Sequence, residues 1–376
     1  MELSQWLEQQ RLVVCGGSGG VGKTTLSATL GLWAALHGRK VMVLTIDPAR
    51  RLANSLGLKA IGNDAVRIEH ADLKDEQGEL WVMMLDSRGA FDSLVTRLAP
   101  DEDLRDRIIG NRIYRYMAGT FAGTHEYMAT EKLYDLVSDG GFDLVVLDTP
   151  PVKNALDFLE SPGRLLKFLD ERVLNWFLVP YEADGSRSRR FVFGTSALLY
   201  RLIGTVFGKE FITDLAEFFQ DFKTLYAGFR ERHDAVLNLF RSTDTSFVTV
   251  CAPSEASVEI ASFFEEELYR RELPSGGVIV NQVHHCHDQE HDATSVLAEL
   301  AQQVSPDGSQ QELRATMARL SMAHRRRFEL AKNQAALTES LRNDSQNDGF
   351  YKEVPWFRGE VHDVSALLRV AEHLFG

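Results

Sequence analysis

The sequence predicts an α/β protein with a mainly parallel β-sheet flanked by helices, and three observations lead to that prediction. An apolar, β-branched run from Leu12 breaks into glycines and then into helical periodicity over 26–36. A second apolar run over 40–46 follows, and strand, helix, strand alternation is typical of a parallel sheet. Acidic residues directly follow two of the apolar runs, at the edge of the sheet where α/β proteins collect their ligands.

The remaining elements follow from apolar periodicity and from Gly, Pro and polar breaks. Further strands are predicted at 80–85, 142–147, 247–251, 277–280 and 351–357. Helices are predicted at 86–98, 101–117, 126–137, 257–271, 310–341 and 364–375, with a polar loop at 343–349. We expect one domain over residues 1–376, with helical insertions at approximately 87–138 and 162–245.

Composition restricts the class of protein. The chain has 376 residues, 44% of them hydrophobic, which is enough for a sizeable core. Its 54 acidic and 41 basic residues give a formal charge of −13, which argues against a general nucleic-acid-binding surface. No signal peptide or membrane-spanning run is evident, and the three cysteines are too few for a disulfide framework. We therefore expect a cytoplasmic protein with no nucleic-acid partner.

The glycine-rich stretch carries the strongest chemical signal. From Gly17 the spacing is G-x-x-x-x-G-K-T, between a strand and a helix. Glycines allow backbone N–H groups to turn toward a polyanion, and the helix N-terminus adds a positive dipole end. The pattern predicts a phosphate-binding loop in which Lys23 reaches the β- and γ-phosphates and the Thr24 hydroxyl ligates Mg²⁺.

Two acidic residues are placed to support this loop. Asp47 ends the second predicted strand and Asp148 ends the fourth, on the edge that carries the loop. A carboxylate after an apolar strand, downstream of a phosphate loop, suits Mg²⁺ coordination, directly or through water. The motifs thus predict hydrolysis or transfer of a nucleotide phosphoryl group.

Four motifs together resemble the family of the arsenite-pump ATPase and the ATPase that targets tail-anchored membrane proteins. The loop at 16–25 is similar to the variant phosphate loop of that family. The Asp-Pro-Ala of 47–49 resembles its first switch, and the Asp-Thr-Pro-Pro of 148–151 its second. The Ile-Val-Asn-Gln of 279–282 resembles the strand whose Asn recognises adenine. The resemblance covers essentially the whole chain.

The resemblance implies an Mg²⁺-dependent ATPase that works as a dimer with two facing nucleotide sites. Lys23 and Asp47 are the implied catalytic residues, with Asp47 positioning or activating the attacking water. Thr24 and Asp148 are implied to hold Mg²⁺, the latter through water, and Asn281 to read adenine. The implied nucleotide-binding residues are Gly17, Gly19, Gly20, Val21, Gly22, Lys23, Thr24, Thr25 and Asn281.

One departure from the family pattern bears on turnover. The family usually has a lysine where this chain has Ser18, and that lysine reaches across the dimer to the nucleotide of the partner. A lost cation in trans can slow phosphoryl transfer by several orders of magnitude. Three alternatives stay open: Arg50 or Arg51 replaces the cation, both face solvent, or a related subunit that retains the lysine forms a heterodimer with this chain.

Two functional hypotheses follow. The first is an ATPase whose hydrolysis cycle drives a homodimer or heterodimer to act on a client protein, a partner or a membrane transporter. The second is an ATP-gated binding subunit with little hydrolysis of its own, paired with a lysine-bearing paralogue.

Two further segments each allow a functional and a structural interpretation. His284, His285, Cys286, His287 and His291 lie where the family has a zinc site, and we favour a polar surface loop over a metal clip. The aromatic-rich helical segment at 165–240 could form a client groove, but amphipathic packing against the sheet also explains it.

Overall fold

The computed structural model describes residues 2–46, 51–58, 61–70, 78–85, 87–120, 124–150, 209–285, 310–359 and 361–376. Within these residues one sheet of eight strands forms the centre of the molecule. Its strands are β1 (Leu12–Gly17), β2 (Lys40–Thr45), β3 (Val66–Arg67), β4 (Glu79–Met84), β5 (Leu144–Asp148), β6 (Thr245–Cys251), β7 (Ser275–Val283) and β8 (Phe350–Pro355).

The strand order is β3-β4-β2-β5-β1-β6-β7-β8. Every neighbouring pair is parallel except β3 and β4, so the predicted mainly parallel α/β fold is confirmed. All residues of β1, β5 and β6 are buried, as expected for central strands covered on both faces.

Helices cover both faces of this sheet. In chain order they are α1 (Leu3–Gln9), α2 (Lys23–Leu36), α3 (Arg51–Ser55), α4 (Ser87–Leu98), α5 (Glu102–Gly110), α6 (Arg112–Thr120), α7 (Thr124–Ser138), α8 (Lys209–Phe240), α9 (Glu255–Arg270), α10 (Gln310–Asp348) and α11 (Val364–Phe375). None of these helices is long and apolar enough to cross a membrane.

Alternate strand residues point into two separate cores. Val14 and Met42 face the core that contains the buried side chains of α4, α7 and α8. Val13 and Val41 face the opposite core, which contains those of α2 and α11. This alternation follows from the two-residue period of a strand. Because all strands except β3 run parallel to one another, their carboxyl ends lie at one edge of the sheet, between the two helical layers.

The helix α8 contributes five phenylalanines to the core on one face of the sheet. Phe218, Phe219, Phe222, Phe229 and Phe240 of α8 are all fully buried. Their packing agrees with the structural interpretation of this part of the aromatic segment. Residues 151–208, which include the first part of the 165–240 segment that could form a client groove, lie outside the described residues. The boundaries of the two predicted insertions stay predictions.

Two predicted elements are corrected by the structure. The helix predicted over 101–117 is divided at Asn111, whose backbone is extended and whose side-chain Oδ1 accepts a hydrogen bond from the N–H of Ile113 at 2.8 Å. The loop predicted at 343–349 is wrong, because α10 continues to Asp348. Leu341 of α10 packs against β7, and this contact holds a helix whose last residues have weak helix propensity.

Two short helices were not predicted from the sequence. α1 buries Leu3, Trp6 and Leu7, and the ring of Trp6 packs edge-on against Phe350 of β8 with centroids 4.8 Å apart. α3 has only five residues. Neither is long enough to show a helical period, so packing determines them more than local sequence does.

Candidate functional site

The glycine-rich loop lies between the end of β1 and the start of α2, as predicted. A Cβ atom at Gly17 would lie 2.0 Å from the carbonyl oxygen of Val250 in the neighbouring strand. Gly22 has φ +93°, and a Cβ there would lie 2.2 Å from Nδ2 of Asn281. Both positions therefore require glycine, because a side chain would clash and φ at Gly22 is left-handed.

Lys23 is folded into the loop that precedes it. Its side chain is buried, and Nζ donates hydrogen bonds to the carbonyl oxygens of Gly17 at 3.2 Å and Ser18 at 2.9 Å. The ammonium group is thus inside the curve of the loop. An anion that entered the loop would meet this charge together with the N-terminus of α2.

Asp148 is the acidic residue at the end of β5, and two hydroxyl groups converge on it. Thr24 Oγ1 donates to Asp148 Oδ2 at 2.7 Å, and Thr45 Oγ1 donates to the same oxygen at 2.9 Å. The strand register explains the convergence, because Asp148 pairs with Cys15 of β1 on one side and with Thr45 of β2 on the other. The carboxyl group is almost completely buried.

The oxygen atoms of Thr24 and Asp148 fit a hard divalent cation. Mg²⁺ is usually held by one or two carboxylates together with phosphate and water oxygens. Among the described residues, no group of three or more His, Cys, Asp or Glu side chains could hold a metal ion. A cation at Thr24 and Asp148 would take the rest of its ligands from nucleotide phosphates and water.

A cavity of about 320 Å³ opens beside the loop. Its wall combines loop and α2 residues with residues of α3 and of the segment between β8 and α11; these include Gly20, Lys23, Thr24, Thr25, Arg51, Ser55, Thr149, Val361 and His362. The volume is of the size that small-molecule sites have. Sequence reasoning missed Ser55, Val361 and His362. The signal for the last two was their position just after the strand β8, at the ligand-binding edge of the sheet.

Asn281 lies against the phosphate loop. The strand β7 is irregular between Val280 and Val283, and Gln282 has the left-handed φ of +63°. Asn281 Nδ2 donates to the carbonyl oxygen of Val21 at 2.8 Å, and Asn281 Oδ1 accepts from the N–H of Gln282 at 2.9 Å. Within the described residues, these bonds use one of its two N–H groups and one of the two lone pairs of its oxygen.

The predicted site residues are brought together where the structure describes them. Gly17, Val21, Gly22, Lys23 and Thr24 form one continuous turn beside Asp148 and Asn281, with Gly19 and Gly20 exposed at its tip. Arg51, one of the two candidate cations, lines the cavity. Asp47 and Arg50 lie outside the described residues.

The histidine-rich segment at 284–291, for which a polar surface loop was favoured over a metal clip, is described only in part. The ring of His284 stacks on Trp356, with centroids 5.5 Å apart, and its backbone N–H donates to Oε1 of Gln334 at 2.9 Å. His285 Nε2 lies 3.9 Å from a carboxylate oxygen of Glu353. Cys286, His287 and His291 lie outside the described residues.

Cys15 and Cys251 are buried residues of β1 and β6. Burial raises the pKa of both thiols to about 12, so both are protonated at neutral pH. A soft metal or metalloid needs thiolates, and these two cysteines do not supply them.

A phosphate loop at the end of β1, a buried carboxylate at the end of β5 and a mainly parallel sheet define a phosphate-loop NTPase. A family model named ArsA_ATPase and described as anion-transporting ATPase matches residues 10–305. The chain belongs to this family, and it is an ATPase.

Curated relatives agree with this assignment. The ATPase get3 of Pyrenophora tritici-repentis is 26% identical over 288 residues, which covers 75% of this chain and 76% of the relative. The ATPase get3 of Aspergillus terreus is 27% identical over 275 residues, which is 73% of each chain. The ATPase get3 of Schizosaccharomyces pombe is 26% identical over 284 residues, covering 75% of this chain and 76% of the relative.

Proposed function

We propose that this chain is an Mg²⁺-dependent ATPase whose hydrolysis cycle drives a dimer to act on a client protein. The observation that carries the proposal is the convergence of the Thr24 and Thr45 hydroxyls on Asp148 beside the loop that contains Lys23. Similarity to the ATPases named get3 supports a client protein as the object of the cycle. The resemblance of the motifs to the ATPase that targets tail-anchored membrane proteins gives the same indication.

Each residue has a role in this proposal. Lys23 exchanges the carbonyl oxygens of Gly17 and Ser18 for the β- and γ-phosphates, and the N–H groups of the loop bind the same phosphates. Thr24 and Asp148 would hold Mg²⁺, which when bound would offset charge that develops on the phosphates. Asp47, which comes two residues after β2, orients the attacking water. Asn281 hydrogen-bonds the adenine.

Arg51 is the residue that we propose to compensate for the lysine absent from position 18. It is the first residue of α3 and lines the cavity together with Lys23 and Thr24. A guanidinium near the γ-phosphate stabilises the charge of the transition state and can contribute about 10³-fold or more to the rate.

Phosphate release from Mg²⁺-ATP by the purified chain tests the proposal, with ADP affinity measured by calorimetry. Lys23→Ala should abolish both turnover and affinity. Lys40→Ala is the matched control, because Lys40 is exposed at the start of β2 and lies 3.7 Å from Glu79, so this variant should bind and turn over as the wild type does. Unchanged nucleotide binding in Lys23→Ala would remove the central claim.

The second hypothesis, an ATP-gated subunit with little hydrolysis of its own, is favoured by Ser18 and is tested in the same assay. If Arg51 compensates, Arg51→Gln should lower turnover by at least about tenfold while changing ADP affinity much less. If the wild-type chain binds ADP tightly but releases no phosphate, the ATP-gated subunit is favoured instead. Phosphate release should then appear when a lysine-bearing relative is added.

A further inference from the structure

Ser18, the first residue of the phosphate loop after β1, is joined to a helix of its own chain. Its Oγ lies 2.8 Å from Oγ of Ser257, in the first turn of α9. Ser257 is buried, and its hydroxyl oxygen also accepts a hydrogen bond from the N–H of Ala252 at 3.0 Å. The side chain of Ser257 therefore connects the phosphate loop, the end of β6 and the start of α9.

α9 and β6 also support the two residues before Ser18. A Cβ atom at Gly16 would lie 2.4 Å from Cε1 of Phe264, a buried residue on α9. The carbonyl oxygen of Val250 in β6 is in close contact with Gly17. These close approaches place residues 16–18, the first limb of the loop, directly against β6 and α9. The hydrogen bond between the hydroxyls of Ser18 and Ser257 lies at the end of this contact.

Ser18 is also bonded to the lysine that we assign to the phosphates. Nζ of Lys23 donates to the carbonyl oxygen of Ser18 at 2.9 Å, so the position of Ser18 affects the position of the ammonium group. Asn281 holds residues 21–22, the other limb of the loop, by donating a hydrogen bond to the carbonyl oxygen of Val21. The loop is thus fixed at both limbs, by α9 on one side and by the end of β7 on the other.

We propose that Ser257 is a positioning residue for nucleotide binding, because its hydroxyl holds Ser18 and with it the first limb of the phosphate loop. Ordering a loop before the ligand arrives lowers the entropy cost of binding. Serine at position 18 therefore has a function within the chain, as the partner of Ser257. The proposal rests on the proposed function, since it takes the phosphate loop to be the nucleotide site.

The test is the dissociation constant for ADP, measured by calorimetry in the absence of hydrolysis. Ser18→Ala and Ser257→Ala should each raise it about two- to tenfold, as expected for one hydrogen bond. The double variant should be no weaker than Ser257→Ala alone, because both changes break the same bond. Turnover at saturating ATP should fall less than affinity, because the loop binds ground and transition states alike.

Matched variants separate positioning from folding. Ser254→Ala changes the N-cap serine of the same helix, whose side chain makes no capping hydrogen bond, and should leave the dissociation constant unchanged. Ser257→Thr keeps the hydroxyl and should restore affinity. Ser18→Ala leaves the bond between Ala252 and Ser257 in place, so its effect on affinity should come without a loss of thermal stability.

Additive effects of the two alanine substitutions on affinity would overturn the proposal. So would a Ser257→Ala variant that melts at a lower temperature but binds ADP as tightly as the wild type. Absence of ADP binding by the wild-type chain would overturn the proposed function together with this inference. Wild-type binding with unchanged affinity in both serine variants would overturn this inference alone.

Discussion

At the scale of single residues, Asp148, Thr24 and Thr45 form the part of the site where a cation would bind. Asp148 is buried at the end of a central strand, and the hydroxyls of Thr24 and Thr45 donate to one of its oxygens. Hydrogen bonds to a carboxylate fix its orientation. The arrangement holds the carboxyl group beside the phosphate loop, where a cation bound to nucleotide phosphates would lie.

Replacement of Asp148 by asparagine removes the carboxylate charge but keeps the size of the side chain, so it tests the role of the charge alone. The amide oxygen can still accept hydrogen bonds from both threonines, so we expect the variant to fold. Loss of the charge should lower Mg²⁺-dependent turnover about 10- to 100-fold and reduce the difference between ATP affinities measured with Mg²⁺ and with EDTA. Thr45→Val, which keeps the charge, should have a smaller effect. An Asp148→Asn variant with wild-type metal dependence would exclude this residue from the cation site.

At the scale of elements, the aromatic residues of α8 connect the helices on one face of the sheet. The ring of Phe229 is fully buried and lies 5.2 Å from the ring of Phe222, 6.0 Å from that of Tyr127 and 6.3 Å from that of Phe91. Phe229 therefore joins α8 to α4 and α7, in the core between this helical layer and the sheet.

Truncation of Phe229 to alanine should destabilise the protein by about 3–5 kcal/mol, because it removes a buried ring and leaves a cavity. Phe263 on α9 is 49% exposed, and Phe263→Ala is the control, with an expected cost of less than about 1 kcal/mol. The free energy of unfolding in urea measures both. Equal costs would show that the aromatic residues of α8 do not hold this layer together.

The elements that the sequence predicted well are those that a local pattern specifies. The strands β1, β2 and β5 were predicted because they are continuous apolar runs, and the phosphate loop because its glycines and lysine have a fixed spacing. The break at Asn111, whose Nδ2 donates to the carbonyl oxygen of Asp214 in α8 at 2.9 Å, and the extent of α10, whose Leu341 packs against β7, depend on side-chain contacts with distant residues. Ser257 and His362 carry no motif, since only the folded chain brings them to the loop.

At the scale of the whole molecule, charge burial makes stability depend on pH. The chain has a formal charge of −13 at neutral pH, and the carboxyl group of Glu265 on α9 is partly buried, where it accepts hydrogen bonds from Thr249 of β6 and Ser275 of β7. Burial raises the pKa of Glu265, although hydrogen bonds from Thr249 and from Ser275 partly oppose the shift. Ionisation of a buried acid opposes folding, and so does the repulsion within a highly charged molecule.

The sign of the pH effect follows from linkage. The pKa of Glu265 is higher in the folded than in the unfolded chain, where it is about 4.3. Its contribution to stability is complete below that value and is lost as the pH rises through the folded pKa. Between about pH 4.3 and neutrality the wild type should therefore lose melting temperature relative to Glu265→Gln. If the melting temperatures of the wild type and of Glu265→Gln change equally with pH across this range, the burial effect is contradicted.

The segment that joins β8 to α11 contributes Val361 and His362 to the wall of the cavity beside the phosphate loop, which we propose as the nucleotide site, whereas the phosphate loop begins at Ser18. During synthesis the loop emerges from the ribosome long before this segment does. A nascent chain that already has β1 and α2 therefore lacks part of the cavity, and ATP cannot bind it as it binds the finished protein. A ligand stabilises only the conformation that contains its binding site. We therefore expect ATP to stabilise the chain only after β8 has joined the sheet and the segment that follows it has folded.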